Sequence, residues 1–397
     1  MSEAPWLTVI GLGEDGPDGL CRASRDALAS AKCVMGAARH LSLLPETGAL
    51  RITWPVPFAD GVEMLMARRG TPTVVLTSGD PFWLGAGSVL ARRLPRGEWL
   101  AFPGRSVASL AAARLGWPLE TVLCLGLHAA PLATLRPHLA PGRRIIATLR
   151  DGEAVATVRL YLDEAGFGDS ACTVMESLGG PRERVTHAAA RDLHSDFIHP
   201  VCIAIDVAGA GAVLPLASGR ADAWFDSDGQ ITRQPVRALT LSALAPRPFE
   251  HLWDIGGGSG SIGIEWLLTD PTLTATAIEP RADRVERIRA NADRLGVGRL
   301  SIVHGKAPKA LADLPAPDVV FVGGGLSRAL LDHLETLPNG TRIVANAVTL
   351  ESEALLVETQ ARLGGSLMRV EIAHTVPIGP KRGWRASYPI TQWSHVL

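Results

Sequence analysis

The stretch His251-Leu-Trp-Asp-Ile-Gly-Gly-Gly-Ser-Gly-Ser-Ile-Gly-Ile-Glu265 decides how the C-terminal half of this 397-residue chain folds. Residues 251–255 are a short apolar run that reads as a buried strand, and from Ser261 onward the pattern turns helical. Between them, Gly256, Gly257, Gly258, Ser259 and Gly260 form a loop whose backbone can turn tightly and approach a ligand closely. Gly258, Gly260 and Gly263 also satisfy G-x-G-x-x-G, which by itself points only to some nucleotide.

Asp254, two positions before the first glycine, separates the possibilities. Beside a pyrophosphate it would add repulsion of about 1 kcal/mol in water, or about 4 kcal/mol at an effective dielectric of about 20, for charges ~4 Å apart. Beside the ammonium and sulfonium of S-adenosylmethionine the same charge is attractive. Glu279 ends the next apolar run, 275–278, where a carboxylate can accept hydrogen bonds from both hydroxyls of a ribose. Strand, D-x-G-x-G-x-G, helix, strand and acid together predict an S-adenosylmethionine-dependent methyltransferase over residues 223–397.

Downstream, a helix over 281–295 places Val285, Ile288, Ala292 and Leu295 on one face, with Gly296 at a left-handed C-cap position. Strands are expected at 301–303, 319–322 and 342–346, and a helix over 235–244 begins at a proline. Glu265 reads as a carboxylate on a helix surface. Methylases of exocyclic base amines carry an Asp/Asn-Pro-Pro-aromatic run after the fourth strand. Here that place holds Asp318-Val-Val-Phe-Val-Gly-Gly-Gly325, which predicts a different, bulky acceptor.

Upstream, strands at 7–10, 32–35, 73–77, 119–123, 144–147, 171–175 and 201–207 alternate with helical stretches such as 20–31 and 152–165, a second α/β region over residues 1–210. The Ala/Gly/Pro-rich stretch 208–221 reads as the junction. Gly11, Gly13 and Gly16 again fit G-x-G-x-x-G, but the second strand ends at Met35-Gly36 with Arg39 beyond it and no acid for a dinucleotide ribose. A second loop, Thr77-Ser-Gly-Asp-Pro81, and a third turn, Pro103-Gly-Arg-Ser-Val107, follow apolar strands.

Composition bounds the rest. Lys+Arg 39 against Asp+Glu 40 leaves a formal net charge of -1, so no global field draws in nucleic acid or an anionic membrane. The five cysteines form no CxxC pair, which argues against a disulfide framework or thiolate zinc site and fits a reducing cytoplasm. His187, His194 and His199 lack metal-ligand spacing, so no metal is expected. No apolar run reaches the ~18 residues of a membrane span, and no secretory leader is expected at Met1.

Two resemblances sharpen this reading. Ile231-Thr-Arg-Gln-Pro-Val-Arg237, the loop 254–260 running into Glu265, Gly305-Lys-Ala-Pro-Lys-Ala-Leu311, 318–325 and Ala345-Asn-Ala-Val-Thr-Leu-Glu351 resemble the decarboxylating precorrin methyltransferase domains of cobalamin biosynthesis, with a Rossmann-like class I methyltransferase fold. The likeness implies cofactor contacts at Thr232, Gly256 to Gly260, Glu279 and Ala307, and differs at Lys306, where an Asp is usual. The three N-terminal loops, with Glu176-Ser-Leu-Gly-Gly-Pro-Arg-Glu-Arg-Val185, are similar to the two-lobed tetrapyrrole methylases, with Glu14 where a Pro is common. That likeness implies a second S-adenosylmethionine site at Gly11, Gly13, Ser78, Gly79, Asp80 and Pro81.

The fusion of the two resembles the decarboxylating corrin-pathway methyltransferases. It implies methylation of the tetrapyrrole precorrin-6Y at C-5 and C-15 with decarboxylation of the C-12 acetate, giving precorrin-8, and self-association into a homo-oligomer. Arg233, Arg237, Lys381, Arg382 and Arg385 are candidate clamps for the substrate's carboxylates. The alternatives are a methyltransferase for nucleic acid or protein, which the neutral charge disfavours, and a non-catalytic nucleotide-binding protein, which the pairing of Asp254 with Glu279 disfavours.

Overall fold

A computed structural model describes residues 5–397. They fall into two compact units: residues up to Ala130 together with Leu139–Ala212, and Pro131–His138 together with Val213–Leu397.

In the first unit, one sheet is wholly parallel. Its strands lie in the order Leu50–Thr53, Cys33–Gly36, Thr73–Ser78, Leu7–Leu12, Trp99–Phe102. The central strands are near-continuous Val, Ile and Leu because helices cover both faces, so that Leu7, Ile10, Val75 and Met35 are buried. A second, mixed sheet runs Leu123–Gly126, Arg144–Thr148, Val201–Asp206, Ala171–Glu176, Arg184–Ala189. Between the two sheets in the chain, the helix Val107–Leu115 is capped by Ser106, which accepts the Ser109 amide at 3.0 Å, and stops at Gly116 with φ +64°.

The second unit has a seven-stranded sheet in the order Ser301–His304, Thr274–Glu279, His251–Ile255, Val319–Val322, Arg342–Ala347, Ile390–Val396, Ser366–Val370. The first five strands are parallel; Ile390–Val396 runs antiparallel between Arg342–Ala347 and Ser366–Val370. This is the Rossmann-like α/β arrangement expected of 223–397. Chain order reverses between His251–Ile255 and Val319–Val322, and such a switch point opens a crevice at the carboxyl ends of the strands. The helix Ala282–Arg294 buries Val285, Ile288 and Ala292, and Gly296 follows with φ +78°.

The structure departs from the sequence expectations in four places. Where a strand was expected over 119–123, Leu119–Thr121 is a single 3-10 turn and the strand begins at Leu123. Edge strands Leu50–Thr53 and Arg184–Ala189 alternate too weakly to announce themselves, and both are partly exposed. Residues 366–386 form three strands ahead of Ile390–Val396, two of them a separate hairpin, Ala373–Ile378 with Lys381–Ala386. Finally, Pro131–His138 packs with the second unit, where Ala133 and Pro137 crowd Gly296 and the Arg136 guanidinium lies 5.0 Å from the Trp224 ring.

Candidate functional site

In the second unit the loop after Ile255 is built by glycine geometry. Gly256, Gly258 and Gly260 have φ of +76°, +59° and +76°. A Cβ on Gly256 would sit 2.6 Å from the Gly324 amide nitrogen, so the loops after the two switch-point strands touch backbone to backbone. The Gly256 and Gly257 amides donate to the Ile278 carbonyl at 2.9 and 3.2 Å, fixing the loop to the neighbouring strand. The Ser259 hydroxyl is buried and has no hydrogen-bond partner in the structure, a polar atom waiting within the cradle.

Both acids sit at this loop. Glu279 is buried; one oxygen accepts the Gly258 amide at 2.9 Å and the other the Arg281 amide at 3.1 Å. Asp254 is 1% exposed and accepts the Gly263 amide at 2.9 Å, tying the strand to the third residue of the helix Ser261–Thr269. Burial pushes the Asp254 carboxyl up to about 7; the Gly263 bond opposes this and Glu279 adds to it. A buried acid poised near neutrality, beside a second acid, is a place where a cation is favoured. Thr232 and Ala307 are both partly buried, and Ala307 precedes a cis peptide bond to Pro308.

Two of the clamp candidates, Arg233 and Arg237, share Asp222, and the other three lie on the hairpin strand Lys381–Ala386. Arg237 is fully buried on the helix Gln234–Leu244, its Nε donating to Glu265 at 2.7 Å, with further bonds to Asp222, the Arg220 carbonyl and the Thr232 carbonyl. It cannot clamp a substrate, because its guanidinium is used up inside the protein. Glu265 is correspondingly buried rather than on a helix surface. Arg233 is exposed and paired with Asp222 at 3.3 Å. Lys381, Arg382 and Arg385 are exposed on the hairpin, whose two-residue period puts Lys381 and Arg385 on one face and Arg382 with Trp384 on the other.

In the first unit three loops meet at the carboxyl ends of the parallel sheet. A Cβ on Gly11 would overlap the Gly79 carbonyl, and one on Gly104 would sit 2.7 Å from the Gly11 oxygen, so only glycines allow this approach. The Gly104 amide donates to Gly79 at 3.0 Å and the Gly79 amide to Leu12 at 3.1 Å. Asp80 closes its own turn by accepting the Phe82 amide at 2.8 Å. Above the loops lies a cavity of about 1000 Å³, with Gly13, Ser78, Gly79 and Asp80 on its wall; Gly11 and Pro81 stand behind.

Sequence reasoning missed the polar floor of this cavity. Arg39 bonds to Glu14 and donates to the Ser78 hydroxyl at 2.9 Å, while the His40 Nε2 lies 3.0 Å from the same hydroxyl. Burial above all, then Arg39 and His199, holds the His40 imidazole neutral with a pKa pushed down to about 3. Burial also lowers His199, on the same wall. Glu14 and Arg39 were each noted only as departures from an expected pattern, and their spacing of 25 gave no sign that they meet. Among the described residues, no group of three or more His, Cys, Asp or Glu could hold a metal ion, and no helix is long and apolar enough to cross a membrane.

Each half of the chain matches a methylase family. Residues 7–194 match the Tetrapyrrole (Corrin/Porphyrin) Methylases, and residues 223–397 match the Precorrin methyltransferase domain family. Among curated relatives, the precorrin-6Y C(5,15)-methyltransferase [decarboxylating] of a Sinorhizobium species is 50% identical over 98% of this chain and 96% of its own length. The protein of that name from Mycobacterium tuberculosis is 40% identical over 98% of this chain and 99% of its own. A cobalt-precorrin-6B C(15)-methyltransferase (decarboxylating) from Salmonella typhimurium is 31% identical over 40% of this chain and 85% of its own length. The chain belongs to the precorrin-6Y C(5,15)-methyltransferase [decarboxylating] family.

Proposed function

We propose that the chain transfers methyl groups to C-5 and C-15 of precorrin-6Y and removes the carboxyl of its C-12 acetate, giving precorrin-8, with one S-adenosylmethionine site in each unit. What carries the reading is the presence, in one chain, of two unrelated glycine cradles, each at the carboxyl ends of parallel strands. The Salmonella relative, matched over 166 residues, joins C-15 methylation to decarboxylation in little more than a domain's length. We assign decarboxylation and the C-15 methylation to the C-terminal unit, which matches the Precorrin methyltransferase domain, and the C-5 methylation to the N-terminal one.

Bound S-adenosylmethionine supplies a methyl group on a positively charged sulfur. The protein supplies placement and field. Glu279 keeps lone pairs for the ribose hydroxyls beside its bond to Gly258, and Asp254 sets a negative charge behind the loop. In the first unit Gly13, Ser78, Gly79 and Asp80 are the wall for the second cofactor, and Arg105 and Arg150 on the same cavity suit acetate and propionate side chains.

The meso carbons of a reduced tetrapyrrole are enamine-like and attack a sulfonium methyl directly, so no strong base is required. Holding carbon, methyl and sulfur in line contributes roughly 7–11 kcal/mol through proximity. Each methylation replaces C–H by C–CH3 and releases a proton. In the decarboxylation a C–C bond breaks, CO2 leaves, its electron pair passes to the ring as electron sink, and one proton returns to the side-chain carbon. A desolvated site favours losing the carboxylate charge. The same reading has the chain self-associate, which light scattering behind a sizing column measures directly.

Incubating the full chain with precorrin-6Y and methyl-labelled cofactor tests the proposal. The expected product carries two labelled methyl groups and lacks one carboxyl; a product with both carboxyl and a single methyl added would refute it.

A further inference from the structure

The segment from Asp222 to Thr232 sets Phe225 in the core of the second unit, with Trp224 and Ile231 packed against it, and its polar middle lies against the C-terminal glycine loop: a Cβ on Gly258 would be 3.7 Å from the Gln230 carbonyl. Polar tethers add to this packing at its ends and its middle. At the start and end, Arg237 joins Glu265, Asp222 and the Thr232 carbonyl, stacked 4.8 Å from the Phe225 ring. Glu265 in turn accepts the Gly219 amide at 2.7 Å and the Arg220 amide at 3.0 Å. At the middle, Asn291 donates to the Asp226 and Ser259 carbonyls, both at 2.9 Å, and accepts the Asp226 amide at 2.9 Å. Beside it Arg284 donates to Asp228 at 2.9 Å and to the Gln230 side chain at 2.7 Å, Arg287 donates to Asp226 at 3.3 Å and lies 3.7 Å from Asp228, and Arg294 donates to the Trp224 carbonyl at 2.8 Å.

Every tether starts on one of the two helices flanking the glycine loop, or on the helix that follows the segment. A buried ion pair such as Arg237–Glu265 is a poor stabiliser, since desolvation offsets most of its attraction. What it does supply is fixed geometry, through bonds that tolerate one arrangement only.

We propose that Arg237, Glu265, Asn291 and Arg284 are positioning residues that hold the strap Asp222–Thr232 across the glycine loop, so that Thr232 and residues 256–260 meet the adenosyl cofactor as one preformed site. The proposal rests on the reading of this loop as a methyl-donor site. Preformed order removes the entropy loss of arranging the strap at binding, so loosening it weakens the affinity and leaves the chemistry after binding nearly intact.

The test titrates S-adenosylhomocysteine into the full chain by calorimetry. Hydrogen exchange assigns each binding event, by protection at 256–260 or at 78–81. Arg284→Gln removes one outer tether and leaves Asp228 beside Arg287, so no lone charge is buried; Arg237→Lys and Glu265→Gln change the buried node at nearly constant size. Expected are a tenfold or greater loss of affinity at the 256–260 site, an unchanged 78–81 site, a raised KM for S-adenosylmethionine, and a kcat for the CO2-releasing reaction within about twofold of the parent at saturating cofactor. Arg284→Gln should keep the parent melting temperature, and faster exchange across 222–232 should mark the loosened strap. Wild-type affinity at the 256–260 site in Arg284→Gln and Arg237→Lys would overturn the proposal while leaving the two-site reading intact. A wild-type chain with no binding at 256–260 would instead overturn the parent reading, and this one with it.

Discussion

Asp254 carries two duties that pull against each other, since it anchors the Gly263 amide and is also buried to the point that its carboxyl titrates near 7. Its pKa is raised on folding, so its contribution to stability is full below the ordinary value of 3.8 and is lost as pH rises through about 7. Asp254→Asn should therefore flatten the fall in denaturation midpoint of the C-terminal unit between about pH 4 and 7. A positive cofactor favours the ionised form, so affinity at this site should rise with pH across the same window in the parent and stay flat and weaker in Asp254→Asn; a flat parent profile would remove the charge argument. At Gly11 the constraint is steric. Gly11→Ala drives a methyl into the Gly79 carbonyl and should destabilise the first unit by about 1–3 kcal/mol or more, read as a lower first transition on chemical denaturation. Asp254, Glu279 and the glycines were legible because their chemistry is local to strand ends. Arg237 was not: its partner lies 28 positions away, and nothing in a helical spacing says that a guanidinium and a carboxylate will be buried together.

Central parallel strands such as Leu7–Leu12, Thr73–Ser78, His251–Ile255 and Val319–Val322, and the helix Ala282–Arg294, could be placed from sequence to within a residue or two, because burial on both faces writes an unbroken apolar run or a clean helical stripe. Edge strands and the hairpin Ala373–Ile378 with Lys381–Ala386 escaped because they bury little, so their pattern has nothing to alternate against. The hairpin nevertheless presents Lys381, Arg382, Arg385 and Trp384 to solvent, the last at 75% exposure, with no acidic residue anywhere from Ile372 to the C-terminus. Were it the acceptor's clamp, Arg382→Gln with Arg385→Gln would raise the KM for the precorrin several-fold and leave cofactor affinity unchanged. Since the two cations face opposite ways across the ribbon, one should account for most of the change. Equal KM values in parent and double variant would return both residues to ordinary surface charge.

At the scale of the molecule, each unit has its own core and its own cradle, and Pro131–His138 is chain that belongs by packing to the other unit. Cutting the chain at 210 would therefore leave this stretch on the N-terminal fragment, away from Gly296, and the C-terminal fragment should melt below the same unit in the intact chain. Cysteine chemistry gives a check on the packed state: burial pushes Cys172 and Cys202 up to about 12, while Cys21 is exposed and its hydrogen bonds to Ser24 lower it, so a thiol reagent should label Cys21 first in the native protein. If two separate methyl-donor sites act in one chain, with CO2 loss confined to the second, disabling the second leaves a singly methylated product. The direct measurement is the mass of the product that full-length Asp254→Ala makes from precorrin-6Y. One added methyl with every carboxyl retained is the predicted result, and a product that has lost CO2 or gained two methyl groups would contradict the account.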